Sequence, residues 1–181
     1  NTVATVDINN LVSTDWYAIS KLYAEAKHRS MPELSIVDVR VFNYFSHTQD
    51  MNARFLITDI VRAIKNKEVF KTSADNIVRD FITPSDFYGL IQAIIDFKPT
   101  NIALDCYTKS PVSKFDLLAE LENKLGFKYE TNKDVDIVNA TGIKTNYYST
   151  NKMAKQVGYT PVNTSLGGIF KEINFHILGQ F

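Results

Sequence analysis

The chain has 181 residues, 45% of them hydrophobic and 22% charged, enough for one globular domain with a real core. Twenty basic residues balance twenty acidic ones, so charge gives no support for nonspecific binding to nucleic acid or an anionic membrane. A single cysteine, Cys106, excludes an intrachain disulfide and fits a cytoplasmic location, and no apolar run reaches the roughly 18 to 20 residues of a membrane span.

The first residues, Asn1 to Asn10, carry no signal-peptide pattern and no initiating Met, and Thr2 to Val6 reads as a strand or loop entered midway. Ser13 or Thr14 can cap a helix that runs to about Arg29 and ends at Met31-Pro32. Ser35 to Phe42 is rich in β-branched residues and reads as a buried strand, followed by a loop from Tyr44 to Asn52. A helix to about Lys67 places Phe55, Leu56, Ile60, Val61 and Ile64 on one apolar face. Val69–Lys71 and Ile77–Ile82 read as short strands. Thr83-Pro84 opens a helix with Phe87, Leu90, Ile91, Ile94 and Ile95 inward, Thr83 as cap and Pro84 first in the helix. Ile102–Cys106 is a strand. Ser113 and Asp116 form a capping-box-like start to a helix that stops at Gly126. Tyr129 to Val138 holds one or two weak strands, and Thr150–Val157 is a short helix closed by Gly158. A last helix from Ser165 turns Ile169, Phe170, Ile173 and Ile177 inward. Helices and strands alternate without internal repeats, which makes the class α/β or α+β.

One helix carries a pattern with chemical meaning. In Tyr17-Ala-Ile-Ser-Lys21 the tyrosine and lysine lie one turn apart on one face. An ammonium there favours a phenolate over a phenol, whose ordinary pKa is about 10. Such a pair can exchange a proton with an alcohol near neutral pH. Spacing alone does not single it out. Four of the nine tyrosines have lysine four residues on: Tyr17, Tyr23, Tyr129 and Tyr148. An exposed helical pair of small energetic value is the competing account. Tyr17 differs in context, since it sits in the first turn after the capping residues, where a site can open.

Four segments, in order, carry a resemblance. They are Ser13-Thr-Asp-Trp-Tyr17-Ala-Ile-Ser-Lys21, Val39-Arg40-Val41-Phe42-Asn43, Val78-Arg79-Asp80-Phe81-Ile82-Thr83-Pro84-Ser85-Asp86, and Asn151-Lys-Met-Ala-Lys-Gln-Val-Gly158-Tyr-Thr-Pro161. Together they resemble the C-terminal portion of the extended short-chain dehydrogenase/reductases, the NAD-dependent nucleotide-sugar epimerases and dehydratases. The resemblance implies the end of a Rossmann-like doubly wound sheet plus a small α/β substrate-binding domain. Residues 1–45 would be the tail of the dinucleotide-binding domain with its active-site helix. Residues 46–181 would be mainly substrate-binding, with segments at about 77–106 returning to the Rossmann sheet. It implies NAD or NADP as cofactor, a nucleotide-sugar substrate oxidised and reduced at C4, and a homodimer built on the Tyr17 helix, where Tyr23, Ala24 and Ala26 offer a face. Tyr17 would be the acid/base. Lys21 would hold the nicotinamide ribose and tune Tyr17. Asn43 and Arg79 would face the diphosphate.

Each role has a plainer counterpart. Asn43 also fits a strand-end residue bonded to its own loop, and Arg79 a strand residue paired with Asp80 or Asp75. Asp86 suits the helix dipole, Cys106 a small core position, and His28, His47 and His176 are too scattered for metal-ligand spacing.

The departures are as informative. Asn43-Tyr-Phe-Ser46-His47 lacks the Gly and Pro usual after that strand, so this loop is expected to be reshaped. No arginine follows Arg79, and Lys144 is the weak substitute for a second diphosphate ligand. No Gly-rich turn after a first strand is present to seat a pyrophosphate, and Gly167-Gly168 lacks the required context. The expectation is therefore a fragment of an enzyme, inactive by itself. The alternative is a non-catalytic nucleotide-sugar or protein-binding module derived from the same fold.

Overall fold

The computed structural model describes residues 7–13, 15–132 and 145–178. The strand or loop expected at Thr2–Val6, Thr14 as cap, Lys133 beside Tyr129, the end of the weak-strand stretch and Lys144 lie outside them. In chain order the elements are α1 (Asp15–Arg29), β1 (Val37–Arg40), β2 (Asn43–Tyr44), α2 (Leu56–Asn66), β3 (Phe70–Thr72), β4 (Val78–Arg79) and β5 (Phe81–Ile82). These are followed by α3 (Pro84–Asp96), β6 (Ile102–Asp105), β7 (Val112–Ser113), α4 (Lys114–Leu125), β8 (Tyr129–Thr131), β9 (Asn146–Tyr147), a 3₁₀ turn (Met153–Val157) and α5 (Ser165–Leu178). The strands pair mostly in parallel: β1 with β6, β2 with β5, β3 with β8 and β4 with β9, while β4 and β7 are antiparallel. The molecule is mixed α/β, as its sequence pattern indicates.

Local chemistry explains the helix ends. The Ser113 hydroxyl accepts from the Asp116 amide at 3.1 Å and donates to its carboxylate at 2.6 Å, and Gly126 closes α4 at φ +63°. Gly158 closes the 3₁₀ turn at φ +89°. Helix α2 begins one residue later than its apolar pattern suggests. Phe55 is its exposed N-cap rather than part of the buried face, and the Thr58 hydroxyl supplies the missing bond by accepting from the Phe55 amide at 3.1 Å. Thr83 has the extended backbone of an N-cap, but its hydroxyl makes no cap bond. Its side chain instead packs on Gly168, where a Cβ would come within 2.9 Å of the Thr83 methyl, so this glycine allows α5 to approach the start of α3. Asp86, expected to serve the helix dipole, is a buried acceptor for the amides of Val162 and Asn163 and for the Asn163 side chain.

The stretch 77–82 is two strands, not one. It breaks at Asp80, whose buried carboxylate accepts from the Thr108 amide at 3.0 Å and hydroxyl at 2.5 Å. Ile95 and Ile177, expected inside, are exposed.

Two apolar clusters result. The first joins α2, α4 and α5 through residues such as Ile60, Leu117, Leu118, Leu121 and Ile169. The second joins β1, α3, β6 and the 3₁₀ turn through Leu90, Leu104, Cys106, Ala154 and Tyr159. Strand β1 is only half-buried where a buried strand was expected, and α1 contributes no buried side chain.

Candidate active site

Helix α1 presents Tyr17 at its first turn, with the ring two-thirds exposed. The Lys21 ammonium lies 5.4 Å from the centroid of that ring. Of the tyrosine–lysine pairs lying wholly within the described residues, this is the one in which the lysine covers its tyrosine. Lys152, four residues after Tyr148, lies instead 3.7 Å over the Tyr107 ring.

The other two predicted residues share a neighbour, Tyr147. The parallel register of β4 and β9 sets Arg79 beside Tyr147, and the guanidinium lies 5.9 Å from the Tyr147 ring centroid. Arg79 also donates to the carbonyls of Val78 at 2.9 Å and Thr145 at 3.2 Å, which fixes its direction. Its neighbour Asp80 faces Thr108. Asn43 does not bond its own loop. Its amide reaches across to the carbonyls of Asp80 at 3.3 Å and Tyr147 at 3.5 Å. Phe42 closes the group, edge-on to Tyr147 at 5.1 Å.

The electrostatics tie Tyr17 to this group. Burial raises the Tyr147 pKa above its ordinary value, the Tyr17 phenol adds to the rise, and Arg79 opposes it. Burial lowers the Arg79 pKa, and Tyr147 pulls it back. Tyr147 thus lies within electrostatic reach of both the Tyr17 phenol and the Arg79 guanidinium. The arrangement offers an exposed phenol beside a cation at one end and a half-buried guanidinium with a side-chain amide at the other. That second end suits an anion such as a diphosphate.

Tyr147 and Phe42 were not singled out by sequence reasoning. In the sequence Phe42 stands out only as part of the Arg-x-x-Asn segment. Tyr147 sits in a two-residue strand, too short for alternation to show. Its one signal was position: it lies shortly before Asn151-Lys152.

The remaining polar candidates are engaged elsewhere. Cys106 is buried, and burial together with Asp80, Asp86 and Asp105 pushes its thiol up to about 12, which disqualifies it as a nucleophile. His28 meets Asp38 at 2.8 Å. Among the described residues no three His, Cys, Asp or Glu side chains could hold a metal ion. The Ser46-His47 loop is held by α5. The backbone amide and Nδ1 of His47 both reach Glu172 Oε2, at 2.9 and 2.7 Å, and the imidazole stacks on Phe175 at 4.5 Å.

No protein-family model and no curated protein matches the sequence. Solved structures do match its fold. A UDP-glucuronic acid 4-epimerase from Bacillus cereus, solved with UDP-glucuronic acid and NAD, superposes with a TM-score of 0.74 at 16% identity, covering 99% of this chain and 58% of that one. A UDP-N-acetylglucosamine 4-epimerase from Methanobrevibacter ruminantium M1 gives 0.65 at 20% identity over 90% of this chain and 52% of its own. A UDP-glucose 4-epimerase from Thermotoga maritima, solved with UDP-glucose, gives 0.69 at 15% identity over 90% and 52%. The chain has the α/β, Rossmann-like fold of these proteins and spans a little over half their length.

Proposed function

We propose that this chain is the C-terminal part of an NAD-dependent nucleotide-sugar epimerase or dehydratase of the extended short-chain dehydrogenase/reductase family. One observation carries the reading: Asn43 and Arg79, chosen from separate sequence segments, both contact Tyr147, whose phenol also lies within electrostatic reach of Tyr17. Tyr17 takes the proton of the sugar C4 hydroxyl as that carbon loses hydride, and returns it when the ketone is reduced. Lys21 stabilises the phenolate and binds the nicotinamide ribose. Asn43 and Arg79 hold the diphosphate. NAD, when bound, supplies a reversible hydride acceptor. Of the groups that would hold it, the chain has the hydroxyl and ammonium for the ribose, but no Gly-rich turn for the pyrophosphate.

The pairing of β1 with β6 supports the assignment of these strands to the dinucleotide-binding sheet, joined by the segments that share the second core. The first core then belongs to the substrate-binding domain. The whole protein is proposed to be a cytoplasmic homodimer using the exposed face of α1, where Tyr23 stands 70% exposed.

The test is a titration of the chain with UDP-glucose and UDP-glucuronic acid, followed by NMR. Binding that Arg79→Ala removes and Tyr17→Phe spares is the expected result. No binding of either ligand overturns the reading. NAD is expected to bind far more weakly than micromolar, and turnover to require the rest of the enzyme. In the whole enzyme, Tyr17→Phe is expected to lower turnover by about 10²–10⁴-fold. Unchanged turnover would remove Tyr17 from the chemistry, and a whole protein that binds sugar nucleotide without turnover would be a binding module.

A further inference from the structure

Helix α1 has no buried side chain, so apolar packing does not set its rotation about its own axis. Directed polar bonds in its second half do. His28 and Arg29 meet Asp38, each at 2.8 Å, and the Asn101 amide donates to the carbonyls of His28 and Met31. The tightest contact is Glu25, which accepts from Arg40 Nε at 2.7 Å and Nη2 at 2.5 Å. Glu25 lies one turn beyond Lys21 and two beyond Tyr17, on the same face. A two-point carboxylate–guanidinium contact fixes angle as well as distance.

The contact continues inward. Arg40 Nη1 donates to Asp105 Oδ1 at 3.1 Å, and the Ser149 hydroxyl donates to Asp105 Oδ2 at 2.5 Å. Ser149 is two residues past Tyr147. Asp105 and Ser149 are buried, so salt screens the inner link of this chain of bonds less than its outer one, where the Arg40 side chain is 43% exposed. It runs from the Tyr17 face of α1, across β1 and β6, to the strand that presents Tyr147.

We infer that Glu25 and Arg40 are positioning residues: their fork sets the direction in which α1 presents Tyr17 and Lys21, and Asp105 and Ser149 tie that direction to β9 and Tyr147. The functional consequence rests on Tyr17 being the acid/base. The coupling itself is measurable without substrate.

The test labels tyrosine at Cζ with ¹³C in the full chain and follows each phenol by NMR through its titration. Tyr17→Phe and Tyr147→Phe assign the two signals. Direct charge effects on Tyr147 would have opposite signs in Glu25→Gln, which removes a negative charge, and Arg40→Gln, which removes a positive one. Loss of a shared constraint has one sign: both bring Tyr147 down toward the ordinary tyrosine value, because it loses burial and its Tyr17 neighbour together. The uncharged Ser149→Ala, mild enough to fold, is expected to move the Tyr17 signal at the opposite end. Exposed Tyr88 on α3 serves as a stationary control. Opposite signs, or no movement in either variant, overturn the inference. So does an equal movement in Asp38→Asn, which loosens the same helix off the Tyr17 face, because general loosening would then account for the result. Failure of nucleotide-sugar binding overturns the proposed function and leaves the coupling result standing.

Discussion

Helix α2 buries five residues and α4 four, whereas α1, of similar length, buries none. The two regions are held by different physics. Around α2, α4 and α5, non-directional burial of apolar surface does most of the work, at about 25 cal/mol per Å². Around α1 and β1, geometry comes from a few directed bonds: Glu25 to Arg40, Asp38 to His28 and Arg29, and the Asn101 amide to the end of the helix. Burial can hold a fold without fixing an angle. Directed bonds hold an angle while leaving the face open, as a helix with a chemical group at its exposed end requires.

The largest break of this contrast is a truncation in each region. Leu118→Ala removes a fully buried side chain of α4 and is expected to cost about 2–5 kcal/mol. Leu22→Ala on α1, where the side chain is half exposed, is expected to stay within about 0.5 kcal/mol. Urea denaturation of both variants checks this, and equal losses would refute the division. Next in size is Glu172→Ala. It deprives the His47 amide and ring of their acceptor, in place of the rigid Gly-Pro that the loop lacks. About 1–3 kcal/mol is expected from the same denaturation measurement. A loss below that range would mean the Phe175 stack alone holds the loop.

How much of this was legible depended on distance along the chain. Ser113, Asp116 and Gly126 act within their own helix, and their pattern was readable. The Tyr17–Lys21 spacing was readable too, because helical geometry brings the two together whatever surrounds them. Thr83 was half readable: its backbone follows the local rule, but its side chain answers to Gly168, 85 residues on. The strand break at Asp80 depends on Thr108, and the loop at His47 depends on Glu172, 125 residues away, so no local pattern marks either. Phe55 and Ile95 obey the helical period yet lie outside, since periodicity names a face and not its edges. Tyr147 was invisible for want of length in its strand.

A smaller effect comes from Lys114, buried at the start of α4, where its ammonium donates to the Ser73 carbonyl at 2.6 Å and hydroxyl at 3.2 Å. Burial lowers its pKa below the ordinary 10.5, with Asp75 opposing. Between the folded value and 10.5 the unfolded chain therefore holds more protons than the folded one, and stability rises with pH across that window. Lys114→Met should lack this slope. Thermal melts of both proteins at rising pH check it, and parallel curves would show that Lys114 titrates alike in the two states.

The finest probe is Cys106, which sits in the second core, the one against which β1 packs. With its thiol pushed up to about 12, only about one part in ten thousand is thiolate at pH 8. Alkylation by iodoacetamide is then expected to proceed only through opening of that core. A rate that rises tenfold per pH unit and levels near the ordinary cysteine value of about 8.5 would be the signature of a thiol reacting in the opened state. Combined with Leu118→Ala, the same rate decides whether the two cores open together. Each 1.4 kcal/mol lost to a shared opening multiplies it about tenfold. An unchanged rate would mean that the second core opens by itself while the first stays shut, and that the packing of α4 does not govern it.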